Sequence, residues 1–450
     1  MKRVDVLIVG GSMGGRTAAV TARKQYGSAS IAMIRPQEKE QVMVPCGLPY
    51  IFGTLGTVEK NVTPDKMIWD ANVDLIVDEA TSIDRESKTV ATDKGDSIGY
   101  EKLVLANGAT PIILPLPGKD LENVFFATKD MGYLQGLLKK LDEVKDVVII
   151  GGGFIGVEFG DEFRKRGVNV TIVEVLPHCL QLVFDDDFCI PAEDKLKGAG
   201  VNIVTNAQAE EILGENGKVR GVKLASGEEI KADMVFFGVG VRPNIEMAQK
   251  AGLAVGATKA IEVDEYQRTN DEDIFAIGDC AEKKSFFVQE PSALRLSSIA
   301  AREARIAAAN LFELRRKNKG VIGSFATRVG DIGLGLAGLT EDQATKKGFD
   351  VVTGEFKTKD KHPGTMPGAN DIMMRLVFDK AEGTILGGQL SGGDSTADIT
   401  NVLAALIEAE MKIEEVVTYQ YGVHPLLTSA PSNHPIPNAA ENALTKMGKL

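Results

Sequence analysis

The stretch Val4–Asp5–Val6–Leu7–Ile8–Val9–Gly10–Gly11–Ser12–Met13–Gly14–Gly15 reads as an apolar strand that turns through glycines into a helix. A second stretch, Val147–Val148–Ile149–Ile150–Gly151–Gly152–Gly153–Phe154–Ile155–Gly156, repeats the arrangement. A glycine-rich turn between strand and helix lets the backbone approach a pyrophosphate closely. The helix start then faces the pyrophosphate with unpaired N–H groups and the positive end of its dipole. One such loop also arises for packing alone. Two in one chain, each in strand–turn–helix context, predict two dinucleotides held by one protein, with electron transfer between them.

The second loop keeps Gly151, Gly153 and Gly156 of the G-x-G-x-x-G pattern, with Phe154 and Ile155 in the turn into the helix. Glu174 ends the next strand, Asn169–Val170–Thr171–Ile172–Val173. A carboxylate there accepts from both ribose hydroxyls of an adenosine and repels a 2′-phosphate, so this loop reads as an NADH site. The first loop (Gly10, Gly11, Ser12, Gly14, Gly15) has Ser12 at the usual middle glycine and Arg35 where an acidic strand end is expected. Glu38, one turn on, is the expected substitute.

A chain of 450 residues has room for two to four domains, at roughly 100–200 residues each. The net charge of −12 argues against nucleic acid and anionic membrane as partners. The basic start, Met1–Lys2–Arg3, leads into an apolar run that stops at Gly10, too short for a signal peptide, and no stretch is apolar and long enough to span a bilayer. A soluble, cytoplasmic protein is expected. Cys46, Cys179, Cys189 and Cys280 show neither C-x-x-C nor a zinc spacing, so no metal site and no disulfide framework are expected.

Strand and helix patterns alternate as in doubly wound α/β domains. Pro111–Ile112–Ile113–Leu114–Pro115–Leu116–Pro117–Gly118 marks a boundary, because its prolines continue neither helix nor sheet. Asp273–Ile274–Phe275–Ala276–Ile277–Gly278–Asp279 follows the second nucleotide region yet reads as the closing strand of the first. From Phe325 the pattern changes to antiparallel strands with glycine-rich turns. The predicted architecture is two Rossmann-like nucleotide-binding domains, residues 1–117 with 240–324 and residues 118–239, plus a C-terminal α+β domain, residues 325–450.

Cys46 sits in Val44–Pro45–Cys46–Gly47–Leu48–Pro49–Tyr50, after the second strand of the first domain. A short helix start there favours the thiolate, which is both a nucleophile and an electron donor or acceptor. The other three cysteines read as small buried hydrophobes.

Taken together, Gly10 to Gly15, Pro45 to Tyr50, Leu103–Val104–Leu105–Ala106–Asn107–Gly108–Ala109, Gly151 to Glu158, Gly240–Val241–Arg242–Pro243–Asn244 and Ala276–Ile277–Gly278–Asp279 resemble the flavin- and pyridine-nucleotide-dependent disulfide oxidoreductases. The resemblance covers essentially the whole chain. It is nearest to the single-cysteine branch: coenzyme A-disulfide reductases, sulfur or persulfide reductases, NADH oxidases and NADH peroxidases. It implies FAD on the first loop, lined by Gly10, Gly11, Ser12, Gly14, Gly15, Arg35, Pro45, Asn107, Gly108, Gly278 and Asp279. It implies NADH or NADPH on the second, with Gly151, Gly153, Phe154, Ile155, Gly156, Glu158, Glu174 and Gly240. It also implies a homodimer whose third domain reaches the partner's active site, with Cys46 as the only redox cysteine.

Departures from the family pattern bear on the substrate. Met13 stands where peroxidases and some oxidases of the group carry a histidine, which disfavours peroxide. Met366 stands where coenzyme A-disulfide reductases carry a tyrosine, leaving Tyr421 or His424 of the tail as the proton donor, with Ser429 near the place of a carboxylate partner. His178, His362 and His434 read as surface or packing histidines. Arg16, Arg23 and Lys24 form a basic edge on the first helix that would anchor a coenzyme A diphosphate. The expected function is transfer of electrons from NAD(P)H through FAD and Cys46 to a sulfur substrate, either coenzyme A disulfide or persulfide, polysulfide or sulfur. The alternatives are an NADH oxidase and, from another class, a flavoprotein redox sensor.

Overall fold

The computed structural model describes residues 2–449 and divides into two compact units. One holds the chain up to Ile113, Phe126–Glu143 and Gly240–Val321; the other holds Leu114–Phe125, Val144–Val239 and the chain from Ile322 on. The α/β expectation holds in both.

In the first unit the strands Asp74–Val77, Ile31–Arg35, Lys2–Val9 and Ser97–Leu105 lie side by side in parallel. Thr89–Thr92 and Ala80–Asp84 extend the sheet as an antiparallel edge. The late strand Ile274–Ala276 closes it, pairing in parallel with Leu103–Leu105. Alternate residues of the first strand enter different layers, as the two-residue period of a strand requires. Val6 and Ile8 join Ala18, Ala19 and Ala22 of the Met13–Gln25 helix and Ala304, Ala307 and Ala308 of the Ser297–Asn310 helix. Leu7 and Val9 join Met247, Leu253 and Ile261 on the other side. Small helix residues let the two helices lie close to the sheet. Gly15 completes this packing, because a Cβ there would sit 1.9 Å from the Gly10 carbonyl oxygen.

In the second unit Val201–Val204, Asn169–Val173, Asp146–Ile150 and Met234–Phe237 form a parallel sheet that Val124–Phe126 extends. The Phe154–Lys165 helix follows its glycine loop, and the same close approach recurs: a Cβ on Gly156 would lie 1.8 Å from the Gly151 carbonyl oxygen. The C-terminal part is a five-stranded antiparallel sheet in the order Ser324–Val329, Ile332–Gly338, Ile385–Gly392, Asp371–Asp379, Val351–Lys359. Among the described residues no helix is long and apolar enough to cross a membrane.

Arg375 ties these parts of the second unit together. Its guanidinium meets Asp185 at 2.9 Å, Asp187 at 2.5 Å and Glu355 at 2.8 Å, and lies over the Phe188 ring. The side chain is 13 % exposed. Arg375→Met keeps the apolar stem and leaves three carboxylates facing one another. We expect a loss of about 2–4 kcal/mol, read as a lower apparent Tm in thermal melts. An unchanged melt would show that the cluster contributes nothing to stability.

Candidate active site

Cys46 lies in a single 3₁₀ turn, Pro45–Gly47, with its thiol exposed. Asn61 builds this turn. Its side chain donates to the Val44 carbonyl at 3.0 Å, its own carbonyl accepts from the Val44 N–H, and its Oδ1 occupies the place a Cβ on Gly47 would take. The Cys46 Sγ is 3.5 Å from the Ser297 hydroxyl oxygen, at the first turn of the Ser297–Asn310 helix. The other three cysteines are buried. Burial pushes the Cys179 and Cys189 thiols up to about 12 and raises Cys280 as well, so all three stay protonated. Cys46 is the one exposed thiol among the described residues.

The basic edge expected on the first helix does not form. Arg16 is 2 % exposed and donates to the Gly11 and Pro64 carbonyls and, at 2.5 Å, to Asp65. Arg23 donates to the carbonyls of Ala71, Asn72, Gly27 and Ala29, closing the turns at the helix end. Of the three, only Lys24 is exposed. These polar partners lie in the chain's own loops, so the buried Arg16 and the half-buried Arg23 serve the fold and leave no row of free cations.

Arg35 is likewise corrected. It is fully buried, its stem lies against Gly11, and its guanidinium turns away to Asp65 and to the carbonyls of Gln37 and Glu38. Burial opposes the charge on Asp65. Hydrogen bonds from Arg35 and the Glu40 N–H, with the charges of Arg35 and Arg16, outweigh it and hold this carboxyl down at about 2. Glu38 stays exposed at the rim. Asp65 was missed from sequence. The signal was an arginine in an acidic position, which calls for a carboxylate from elsewhere.

Asn107 and Gly108 lead into a short crossing strand, Ala109–Pro111, that pairs with Val241–Pro243 just after Gly240. The Asn244 side chain and N–H donate to the Asn107 and Gly108 carbonyls. The Asn107 Oδ1 is buried without a partner. Asp279 lies in the turn Gly278–Cys280, half-buried, and its carboxylate accepts no hydrogen bond from the described residues.

At the second loop Gly153 begins the Phe154–Lys165 helix. Glu174 is 8 % exposed and accepts from the Gly152 N–H at 2.5 Å and the Leu176 N–H at 2.8 Å, which fixes the carboxylate at the loop. Phe154 stacks on Phe325 with centroids 5.6 Å apart. Glu158 accepts from the Thr327 hydroxyl at 2.7 Å, and burial nonetheless pushes it up to about 7 from an ordinary 4.5. A carboxyl raised in this way contributes stability fully below the ordinary value and loses it as pH rises through 7. Glu158→Gln is therefore expected to be more stable than wild type at pH 8 by about 1–3 kcal/mol, read as a higher apparent Tm, and equally stable at pH 5. Identical melting at pH 8 would contradict this.

In the tail, Tyr421 donates to the Pro431 carbonyl at 2.8 Å and its ring lies tilted against His434, centroids 4.1 Å apart. Burial pushes His434 down to about 4, so it is neutral near pH 7, and its Nδ1 is buried and unpartnered. Both line a cavity of about 540 Å³ with Tyr419 and Asp398. His424 is exposed; its Nδ1 accepts from the Leu426 N–H at 3.2 Å. Ser429 is buried and donates to the Lys359 carbonyl at 2.6 Å. Of the two tail residues singled out, Tyr421 is thus joined to His434, which sequence reading assigned to packing.

The pyridine nucleotide-disulphide oxidoreductase family matches residues 4–304, and its dimerisation domain matches residues 325–434. The chain belongs to this family. An NADH oxidase of Methanocaldococcus jannaschii is 32 % identical over 98 % of this chain and 99 % of its own length. An NAD(P)H coenzyme A polysulfide/persulfide reductase of Pyrococcus horikoshii is 31 % identical over 89 % of this chain and 90 % of its own. The structure of an NAD-dependent persulfide reductase from A. fulgidus matches with a TM-score of 0.91 at 30 % identity, covering 99 % of this chain and 84 % of that one. For a pyridine nucleotide-disulphide oxidoreductase the sulfur is the point of interest, and here it is a lone exposed Cys46 beside Ser297.

Proposed function

We propose that this protein transfers electrons from NAD(P)H through FAD and Cys46 to a sulfur–sulfur bond, in coenzyme A disulfide or persulfide, polysulfide or sulfur. The observation that carries the reading is the single exposed thiol, with the other three cysteines buried and protonated.

The residues present fit a flavin dinucleotide. Gly10, Gly11, Ser12, Gly14 and Gly15 form the loop, Asp279 offers an unpartnered carboxylate, and Asn107 offers a buried unpartnered oxygen. FAD, when bound, takes hydride from a reduced nicotinamide and supplies an electron pair to sulfur. Gly151, Gly153 and Gly156 with Glu174 suit the nicotinamide dinucleotide, and Phe154 and Glu158 lie on the helix that begins there. Cys46 does the sulfur chemistry. Its thiolate attacks one sulfur of the substrate, the sulfur–sulfur bond breaks, and the leaving thiolate takes a proton from solvent or a tail donor, Tyr421 or His424. Cleaving the resulting mixed disulfide takes two electrons, which a bound, reduced FAD would supply, and gives back the Cys46 thiolate with release of the substrate's other half as a thiolate.

Three parts follow: FAD on 1–117 with 240–324, NAD(P)H on 118–239, and homodimerisation through 325–450, which the match to a dimerisation domain supports. A coenzyme A diphosphate anchor on the first helix falls to Lys24 alone. A cytoplasmic location suits the free thiol. A second reading, NADH oxidase, is favoured by the name of the Methanocaldococcus relative.

Anaerobic NADH consumption with coenzyme A disulfide, polysulfide and sulfur, compared with oxygen, separates the readings. Turnover with oxygen alone would reject the sulfur reading. Glu174 should make kcat/KM higher for NADH than for NADPH, by about tenfold or more, through ribose hydrogen bonds and repulsion of the 2′-phosphate. A preference for NADPH would contradict that role.

A further inference from the structure

Beneath the turn that carries Asp279 lies an ion pair that none of the chemistry above uses. Lys283 and Glu303 are 2 % and 1 % exposed, with Nζ and Oε2 3.3 Å apart. Both reach the same residue. The Gly278 N–H donates to Glu303 Oε2 at 2.7 Å, and Lys283 Nζ donates to the Gly278 carbonyl and, at 2.8 Å, to the Ala281 carbonyl. The peptide groups on both sides of Gly278 are therefore held by opposite ends of one buried pair.

Stability alone does not account for this arrangement. Burying two charges costs several kcal/mol of desolvation, and an apolar pair of similar volume is often as stable or more so. Glu303 Oε1 is also buried without a partner, a further cost. What the pair does fix is geometry. Gly278 has φ of +70° and heads the three-residue turn Gly278–Cys280, with Ala300 of the Ser297–Asn310 helix 3.2 Å from where its Cβ would stand. Asp279 is the next residue, and its carboxylate projects with no protein partner to orient it.

We infer that Lys283 and Glu303 are a positioning pair, holding the Gly278–Cys280 turn so that the Asp279 carboxylate is set to receive the ribityl–phosphate portion of FAD. This rests on the flavin reading of Asp279. The pair acts through Asp279 and touches no reacting atom.

The test uses the full-length protein, stripped of flavin and titrated with FAD by quenching of flavin fluorescence, with thermal melts of the stripped protein alongside. Lys283→Met with Glu303→Leu removes both charges and keeps the volume. Its Kd for FAD should rise at least tenfold while its melt stays within a few degrees of wild type. Asp279→Ala should show a similar loss. Adding the double change to Asp279→Ala should then weaken binding by no more than twofold to threefold, because the pair acts only through that carboxylate. A double variant that binds FAD within twofold of wild type, or losses that multiply in the triple variant, would overturn the inference. If the double variant does not fold, Glu303→Gln decides. It keeps an oxygen for the Gly278 N–H and removes the charge that holds Lys283; a Kd raised threefold or more is expected, and an unchanged one overturns the role. Wild type is titrated first. No binding of FAD there rejects the flavin reading and this inference with it, whereas tight wild-type binding with an unaffected double variant rejects the positioning role alone.

Discussion

Cys46→Ser is expected to lower turnover with sulfur acceptors by about 10³-fold or more, while NADH still bleaches the flavin of the purified protein. The serine keeps the size of the side chain and a hydroxyl near Ser297, 3.5 Å from the native sulfur. It removes the thiolate, and a serine hydroxyl does not ionise near neutral pH, so no mixed disulfide forms. Cys179, Cys189 and Cys280 cannot stand in. They are buried, and burial keeps their thiols protonated. Oxygen reacts without a cysteine, so leakage of NADH electrons to peroxide should persist or increase in the variant. Stopped-flow reduction by NADH and steady-state assays with polysulfide and oxygen read the three outcomes separately. Full sulfur-acceptor turnover in the serine variant would make Cys46 a structural residue and end the proposed mechanism.

Asp65→Asn is expected to carry the largest stability loss. In the native protein one carboxylate, 0 % exposed, faces two guanidiniums that are 2 % and 0 % exposed. The asparagine leaves both cations buried without a counter-charge. Breaking such a site costs about 3–5 kcal/mol, or roughly 10 °C in the apparent Tm of a unit of this size. The pH dependence has a definite sign. A carboxyl held at about 2 in the fold contributes stability that is complete above its ordinary value, 3.8, and is lost as pH falls from there through 2. The gap between wild type and variant should therefore be constant from pH 8 to 5 and narrow as the pH is lowered further. Because Arg16 holds the Gly11 carbonyl and the Arg35 stem lies under Gly11, the variant should also retain less FAD after gel filtration. A variant that melts like wild type at pH 7 would show that the two arginines find other partners.

The sequence by itself determined the two glycine-rich strand–turn–helix loops, the alternating strands and helices, the late strand that closes the first sheet, the change to antiparallel strands near Phe325, and the short turn that carries Cys46. These are local signals. A strand ending in glycines, or a cysteine between proline and glycine, constrains the backbone within a few residues, so the pattern and the structure share a cause. Tertiary structure alone decided the partners. Asp65 meets Arg35 from 30 residues away and Arg16 from 49. Ser297 comes to Cys46 across 251 residues, and Thr327 to Glu158 across 169. The first helix shows the physical reason most plainly. Arg16, Arg23 and Lys24 look alike as a row of cations, yet two are tied to carbonyls and a carboxylate and only Lys24 is left exposed and without such partners among the described residues. Whether a charge is a ligand anchor or a structural bond depends on what packs over it, and that is set by elements far along the chain.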